Sequence, residues 1–213
     1  MEKIKTEIHK HPTEGTWTDV KNTCRLTSNK DATDTPVTKD FKIKLLISEH
    51  SPITSLIFSW IWPKIPSWVS VHFARHWLGW QKWVSTRRSD RTGVDRRKLP
   101  QDEPVTMKIE ANTQALINVS KRRLCFQASH ETRKYMEAIK SNIAKTEPEI
   151  ALTMVPSCIY RWGCPEFTSC GLFKEFQIWL KENCPKEHMF NIETRYILYQ
   201  KFREEWRKKN EEC

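Results

Sequence analysis

Apolar residues recur at helical spacing in several long stretches. Ala111, Ala115, Leu116 and Val119 fall on one side of residues 111–125, and Tyr135, Met136, Ile139 and Ile143 on one side of residues 129–145, so both segments are predicted helices. Residues 172–183 and 192–209 are amphipathic and rich in Phe, Trp and Tyr, and the alternating charges of the last suit a contact between subunits. In residues 67–76, Trp68, Val71 and Ala74 follow a capping serine at helical spacing. That helix ends at Arg75-His76, where the macrodipole favours positive charge. Residues 41–48 form a shorter helix that runs into the turn His50-Ser51-Pro52.

A different pattern marks the strands. Residues 53–62 mix β-branched and aromatic side chains, which predicts a buried strand ended by Pro63 and Pro66. Residues 16–26 have a strand-like composition, and residues 83–88 alternate, as a strand with its polar side toward a ligand would. Residues 1–16 carry charges, two His and a Pro-Thr-Glu-Gly turn, and read as a flexible leader. Residues 27–40 read as a polar loop and residues 92–104 as a charged connector. No internal repeat is visible.

With 213 residues the chain can bury a real core, and one domain with an appendage is the expectation. Its net charge of +10 favours an anionic partner without choosing between nucleic acid and a small phosphorylated ligand. The most apolar run, residues 53–62, is too short to span a membrane, and the N-terminus has no apolar stretch of the signal-peptide kind. The expectation is a soluble, cytoplasmic protein. Seven cysteines, an odd number, point to free thiols or a metal before a disulfide framework.

The richest chemistry lies in residues 74–91, ARHWLGWQKWVSTRRSDR. An Arg-His pair is followed by a serine nine residues after the His, and Arg87, Arg88 and Arg91 come next. Trp77, Trp80 and Trp83 stand between. Guanidinium groups grip phosphate in a bidentate fork, hydroxyls donate single hydrogen bonds, and aromatic walls take a flat ring. A nucleotide, a flavin or single-stranded nucleic acid would suit such a set; so would the plainer reading, a basic surface segment with a half-buried Trp face.

Residues 45–135 resemble the flavin-dependent thymidylate synthases, the ThyX family. The family signature is Arg-His-Arg, seven residues, then Ser; here Arg75-His76-Trp77 is followed by seven residues and Ser85, with Trp77 in place of the third Arg. His50-Ser51-Pro52 is similar to the family's flavin-contacting His-x-Thr-Pro turn, one residue shorter. Ser85-Thr86-Arg87 resembles its substrate-holding Ser-x-Arg, Arg96 falls where it places another substrate arginine, and Asn112, Asn118 and Arg123 match its two flavin asparagines and its uracil arginine. The chain also departs: Trp83 stands where a Glu is usual, and the segment between the Ser motif and the Asn helix is short.

The resemblance implies an α+β fold with a central mixed or antiparallel sheet flanked by helices. It implies a catalytic core over residues 17–145; the Cys-rich helical extension over residues 146–213 resembles nothing in the family pattern. It implies a homotetrameric methyltransferase that converts dUMP to dTMP with methylene-tetrahydrofolate and NADPH-reduced FAD, its site formed between subunits. Ser85, Thr86, Arg87, Arg96 and Arg123 would bind dUMP. His50, Ser51, Arg75, His76, Trp77, Asn112 and Asn118 would bind FAD, without a Gly-rich Rossmann loop, which the chain lacks. Arg123 and Ser85 are the catalytic candidates: Arg123 stabilises charge on the uracil, and Ser85 positions the phosphate, since no base is placed to make it a nucleophile. Two other readings stand beside this one: a related C5 pyrimidine modification on the same scaffold, and a basic nucleic-acid-binding protein that has lost flavin. In the tail, Cys158, Cys164 and Cys170, with Cys184 further on, are candidate metal ligands, although the spacing is not Cys-x2-Cys and buried or free thiols are the default. Cys24 and Cys125 belong to no motif.

Overall fold

The computed structural model describes residues 4–184 and 191–210. It opens with β1 (Glu7–Lys10) and α1 (Glu14–Leu26). Both correct an expectation: part of the supposed leader is an edge strand, and residues 16–26, strand-like in composition, are helical. A capping box decides the second case. The Thr13 hydroxyl accepts from the Thr16 backbone N–H at 3.3 Å, and the Thr16 hydroxyl accepts from the Thr13 N–H at 3.2 Å. The β-branched Thr18 and Thr23 donate their hydroxyls to the carbonyls of Glu14 and Asp19 four residues back, so they ride on the helix instead of opposing it. Trp17 and Val20 are buried on the opposite stripe.

After α2 (Lys39–Ile47) and a 3-10 turn (Ser51–Ser55), β2 (Ile57–Pro66) crosses the molecule. It leads directly into α3 (Ser67–Ala74), in which Ser67 is the first helical residue and Pro66 holds the cap position. β3 (Trp80–Val84) follows, then α4 (Ser89–Thr92), a 3-10 turn (Arg96–Lys98) and β4 (Pro104–Asn112). The sheet is four-stranded and antiparallel, in the order β1-β2-β4-β3. β2 pairs with β4 from Ile57↔Asn112 to Pro66↔Pro104. A register shift between Trp62 and Ile65 lets β2 pass Pro63 and run to Pro66, beyond the predicted end. β3 starts and stops earlier than predicted, ending at Val84.

The two central strands show the period of two that a one-sided sheet requires. Phe58, Trp60 and Trp62 on β2, and Val105, Met107, Ile109 and Ala111 on β4, are all buried. Trp60 packs edge-on against Trp62 and Trp80 at 5.6 and 5.5 Å between centroids. α5 (Thr113–Arg123), α6 (His130–Ile143) and α7 (Pro148–Thr153) complete this first core, which takes in Leu116, Met136, Ile139 and Met154. α8 (Ser157–Arg161), α9 (Leu172–Asn183) and α10 (Ile192–Asn210) enclose a second cluster of Ile159, Phe176, Leu180, Tyr199 and Phe202. The helices over residues 129–145, 172–183 and 192–209 thus form where they are predicted. Across the first core, the Trp17 indole N–H donates to the buried Glu147 carboxylate at 2.9 Å, and Lys42 lies 3.4 Å from the same oxygen. None of the described helices is long and apolar enough to cross a membrane.

Between α3 and β3 the chain turns at Gly79, whose φ of +66° is left-handed. A Cβ there would come within 2.8 Å or less of the Asn112 side-chain amide. Gly79→Ala is expected to cost about 1–3 kcal/mol through backbone strain alone, with the clash added to it. Urea unfolding of the variant checks this; an unmoved midpoint would contradict the packing described.

Candidate functional site

The site is assembled by the ends of α3 and α5. Arg75 occupies the C-cap of α3 and His76 follows it. Arg123 is the last residue of α5. Its Nε–H donates to His76 Nε2 at 2.9 Å, and its Nη2 donates to the His72 carbonyl at 2.7 Å. Lys82 of β3 donates to the His76 carbonyl at 2.6 Å. One turn back on α3, His72 Nδ1 lies 2.6 Å from the buried Thr132 hydroxyl of α6. His76 and the His72 carbonyl therefore hold one guanidinium at the helix end, half-buried, while Lys82 and Thr132 brace the two histidines and exposed Arg75 stands nearby.

The electrostatics follow from that crowding. Burial, helped by Arg123 and Lys82, lowers His76 to about 4. The ring is therefore neutral near pH 7, as a nitrogen that accepts from Arg123 must be. Burial, together with Arg123 and Arg75, also lowers His72. Burial and the charges of Arg75 and Arg122 lower Arg123, which stays a cation because guanidinium pKa values start so high.

The other predicted residues lie in separate places. Asn112 ends β4 and caps α5: its Oδ1 accepts from the Ala115 N–H at 2.8 Å, and its own N–H donates to the Gly79 carbonyl at 3.0 Å. Its Oδ1 is thus taken by the cap, and Asn112 stands just before the helix instead of on it with Asn118. Asn118 is exposed on α5, and its Oδ1 lies 3.2 Å from the Lys121 ammonium. Lys121 pairs with Glu49 at 3.2 Å and sits 3.6 Å above the Tyr160 ring. Glu49 has a left-handed backbone (φ 49°) immediately before His50. Burial pushes its carboxyl up, but hydrogen bonds from Tyr160 and Gln114 and the Lys121 charge outweigh this and leave it below the usual range. His50 and Ser51 line a cleft of about 560 Å³ with Asp40, Lys44 and Pro52.

Ser85 adds a last rung beside β3. Its N–H donates to the Thr106 carbonyl at 2.9 Å, and its Oγ accepts from the Thr106 N–H at 3.0 Å, leaving the hydroxyl proton to donate. Beyond it the basic loop folds on itself: the Thr86 hydroxyl accepts from the Arg88 N–H, Arg87 donates to the Pro100 carbonyl at 3.0 Å, and the Arg96 N–H donates to Ser89. Ser85 lies roughly 17 Å along the strand from Trp80, at about 3.4 Å per residue. One chain therefore joins Arg75, His76 and Arg123 in one group, His50 and Ser51 in a second, and Ser85, Thr86, Arg87 and Arg96 in a third. Trp77 and Trp83 are exposed, 72% and 53%, with Lys108 5.4 Å above the Trp83 ring. Among the described residues no three His, Cys, Asp or Glu side chains converge as a ready metal cage, so Cys158, Cys164, Cys170 and Cys184 form none.

Sequence reasoning missed His72, Lys82 and Thr132 around Arg123, and Glu49, Lys121 and Tyr160 around Asn118. Two signals point to some of them: His72 is one helical turn before His76, and Lys121 lies in the run that ends at Arg123.

No protein-family model matches the chain, and no curated protein matches it in sequence. Solved structures do match in fold. A UMP/dUMP methylase, PolB from Streptomyces cacaoi bound with 5-Br dUMP, superimposes with a TM-score of 0.56 at 14% identity, covering 70% of this chain and 93% of that one. The same methylase bound with 5-Br UMP gives 0.54 at 14% identity, with 72% and 94% covered. The chain thus shares an α+β fold with a methylase of pyrimidine nucleotides.

His76 makes acid stability a test of this geometry. Its folded-state pKa of about 4 lies below the unfolded value of about 6.5, so between these the unfolded chain binds more protons and stability falls as the pH drops. The urea midpoint is expected to fall more between pH 7 and pH 5 in the wild-type chain than in His76→Gln. Equal pH dependence in the two would show that His76 is not the neutral acceptor described.

Proposed function

We propose that the chain is an enzyme that modifies C5 of the uracil ring in dUMP or a closely related pyrimidine nucleotide. The observation that carries this reading is Arg123, preorganised by His76 and His72 beside Arg75, in a chain that shares its fold with a UMP/dUMP methylase. C5 of uracil becomes nucleophilic when negative charge builds on the O2/N3/O4 system. A guanidinium already oriented against the pyrimidine stabilises that charge without reorganising during the reaction. Neutral His76 aims the guanidinium and adds no competing positive charge. Ser85, with its hydroxyl oxygen held by the Thr106 N–H, turns its proton toward the phosphate, and Arg87 and Arg96 supply the cations.

The finer reading is reductive methylation of dUMP to dTMP in the manner of the flavin-dependent thymidylate synthases. FAD reduced by NADPH would then supply the hydride and methylene-tetrahydrofolate the one-carbon unit. The donor set fits a flavin in part. His50 and Ser51 open onto a cleft, and exposed Arg75 and Trp77 offer a cation and a stacking face, whereas Asn112 is held in its cap and Asn118 faces Lys121. The position of Ser85 and its loop at the opposite end of β3 from Trp80 supports a site completed between copies of the chain, as in a homotetramer. A second reading rests on that same loop: exposed Arg88, Arg91, Arg96, Arg97 and Lys98 beside exposed Trp83 would suit single-stranded nucleic acid.

The test is the visible spectrum of the purified protein with FAD added and dUMP titrated in. Flavin bands that shift with dUMP support the proposal; no retained flavin, with salt-sensitive binding to DNA of mixed sequence, supports the second reading. Arg123→Ala is expected to weaken dUMP binding about tenfold to a hundredfold, the worth of a charge-assisted hydrogen bond, while flavin stays bound. Arg123→Lys should not restore it, because an ammonium lacks the planar fork. Wild-type affinity in Arg123→Ala would end the substrate assignment.

A further inference from the structure

Beside its apolar stripe, α6 carries a polar one of Glu137, Lys140 and Ser141, and α10 carries Gln200, Arg203 and Arg207 at matching helical intervals. The two stripes face one another across a cavity of about 220 Å³. Glu137 is bound on both oxygens: Oε1 accepts from Arg203 at 2.9 Å, and Oε2 lies 2.6 Å from Arg207. Lys140 donates instead to neutral groups, the Met154 carbonyl at 2.7 Å and the Gln200 amide oxygen at 2.9 Å. The other carboxylate on the wall, Glu204, is exposed. Three cations against two carboxylates leave the wall with one positive charge in excess.

Hydrogen-bond donors are in excess as well. Lys140 occupies the Gln200 oxygen, and the Gln200 amide nitrogen is buried with no partner among the described residues. So is Nη1 of Arg203, whose side chain is only 8% exposed. Unpaired buried donors are costly, and both belong to side chains of the cavity wall, so a small rotation brings each to its surface. The crowding of cations is felt at Lys140. Burial above all brings its ammonium down to about 7, with Glu137 opposing and Arg207 and Arg203 adding to the fall. An anion in the cavity would hold Lys140 charged.

We propose that the cavity between α6 and α10 binds a phosphate group, free or at the end of a small metabolite, on Lys140, Arg203, Arg207 and Ser141. Phosphate offers several lone pairs in a small volume, which suits two guanidinium forks, an ammonium and a hydroxyl better than a single carboxylate would. Exposed Ser141 and Glu204 stand on the cavity wall where it meets solvent, so the ligand has a way in. Because α6 belongs to the first core and α10 to the second cluster, a ligand held by both fastens one to the other. None of these residues belongs to the nucleotide motifs, and the inference is independent of the chemistry proposed above.

The test is thermal unfolding of the full chain with inorganic phosphate titrated in, against sodium chloride of equal ionic strength. A saturable rise in Tm is expected, about 3–6 °C when phosphate reaches roughly ten times its dissociation constant. Arg207→Gln removes a cation whose side chain is 39% exposed, and Ser141→Glu places a negative charge at an exposed position, so both variants are expected to fold. Each should weaken phosphate binding about tenfold or more, read as the shift from its own baseline. Exposed Lys201→Gln, off the cavity, and Arg87→Gln, in the nucleotide loop, should keep the shift. Methyl phosphate separates the two sources: a matching shift points to an esterified ligand, and its absence to the free ion. A Tm that responds to phosphate no more than to chloride overturns the proposal. So does a shift undiminished in both Arg207→Gln and Ser141→Glu, or one lost in Arg87→Gln, which would put the phosphate in the nucleotide loop.

Discussion

The fold turns on the junction between β4 and α5. Within two residues the chain completes the sheet, starts a helix and anchors a neighbouring turn. Asn112 closes the β2–β4 register opposite Ile57, donates its N–H to Gly79 and caps α5 through Ala115. Thr113, fully buried, donates both its N–H and its hydroxyl to the Leu56 carbonyl, tying the helix start to the beginning of β2. Since a helix is stiff, fixing its origin and first turn fixes its far end about 16 Å away, at 1.5 Å per residue. Arg123 therefore meets His76 because of decisions made at Asn112. The missing side chain of Gly79 is part of the same constraint, because it leaves room for the cap.

Much of this was legible in the sequence, and for physical reasons. α5 and α6 carry strong one-sided apolar patterns, and their caps, Asn112 and Ser129, belong to the residue types whose side chains satisfy free N–H groups. The C-terminal position of Arg75-His76 on α3 was legible as well. α1 was not, because its composition is rich in threonine and the deciding contacts, the Thr13–Thr16 cap and two hydroxyl-to-carbonyl bonds, depend on conformation. β4 carries a clear alternation of Val105, Met107, Ile109 and Ala111, but it adjoins a helix pattern that shares its last residues. β1 has only a few residues and takes its place from the edge that β2 leaves open.

The candidate site was legible in residue types and only partly in arrangement. The pairing of Arg123 with His76 links residues 47 apart in the chain, which no local pattern encodes. Motif spacing singled out both, but it could not say that the one would aim the other. Asn112 shows the opposite limit: a polar residue at a familiar interval can be held by the backbone next to it. Glu49 escaped notice because its importance comes from burial beside Lys121 and Tyr160, and a sequence does not reveal which surface carboxylate will be covered.

The hydrogen bond between Trp17 and Glu147 has a consequence for how the molecule is made. The two residues are 130 positions apart, and the bond lies in the main core. During synthesis α1 leaves the ribosome long before its acceptor exists. Until α7 follows, the large Trp17 ring has no enclosed place in which its N–H is satisfied, and burying it alone would carry the cost of an unpaired donor. The first core is therefore complete only once residue 147 has followed. The start of the tail is thus an internal part of the fold, because α7 packs in the same core as α1.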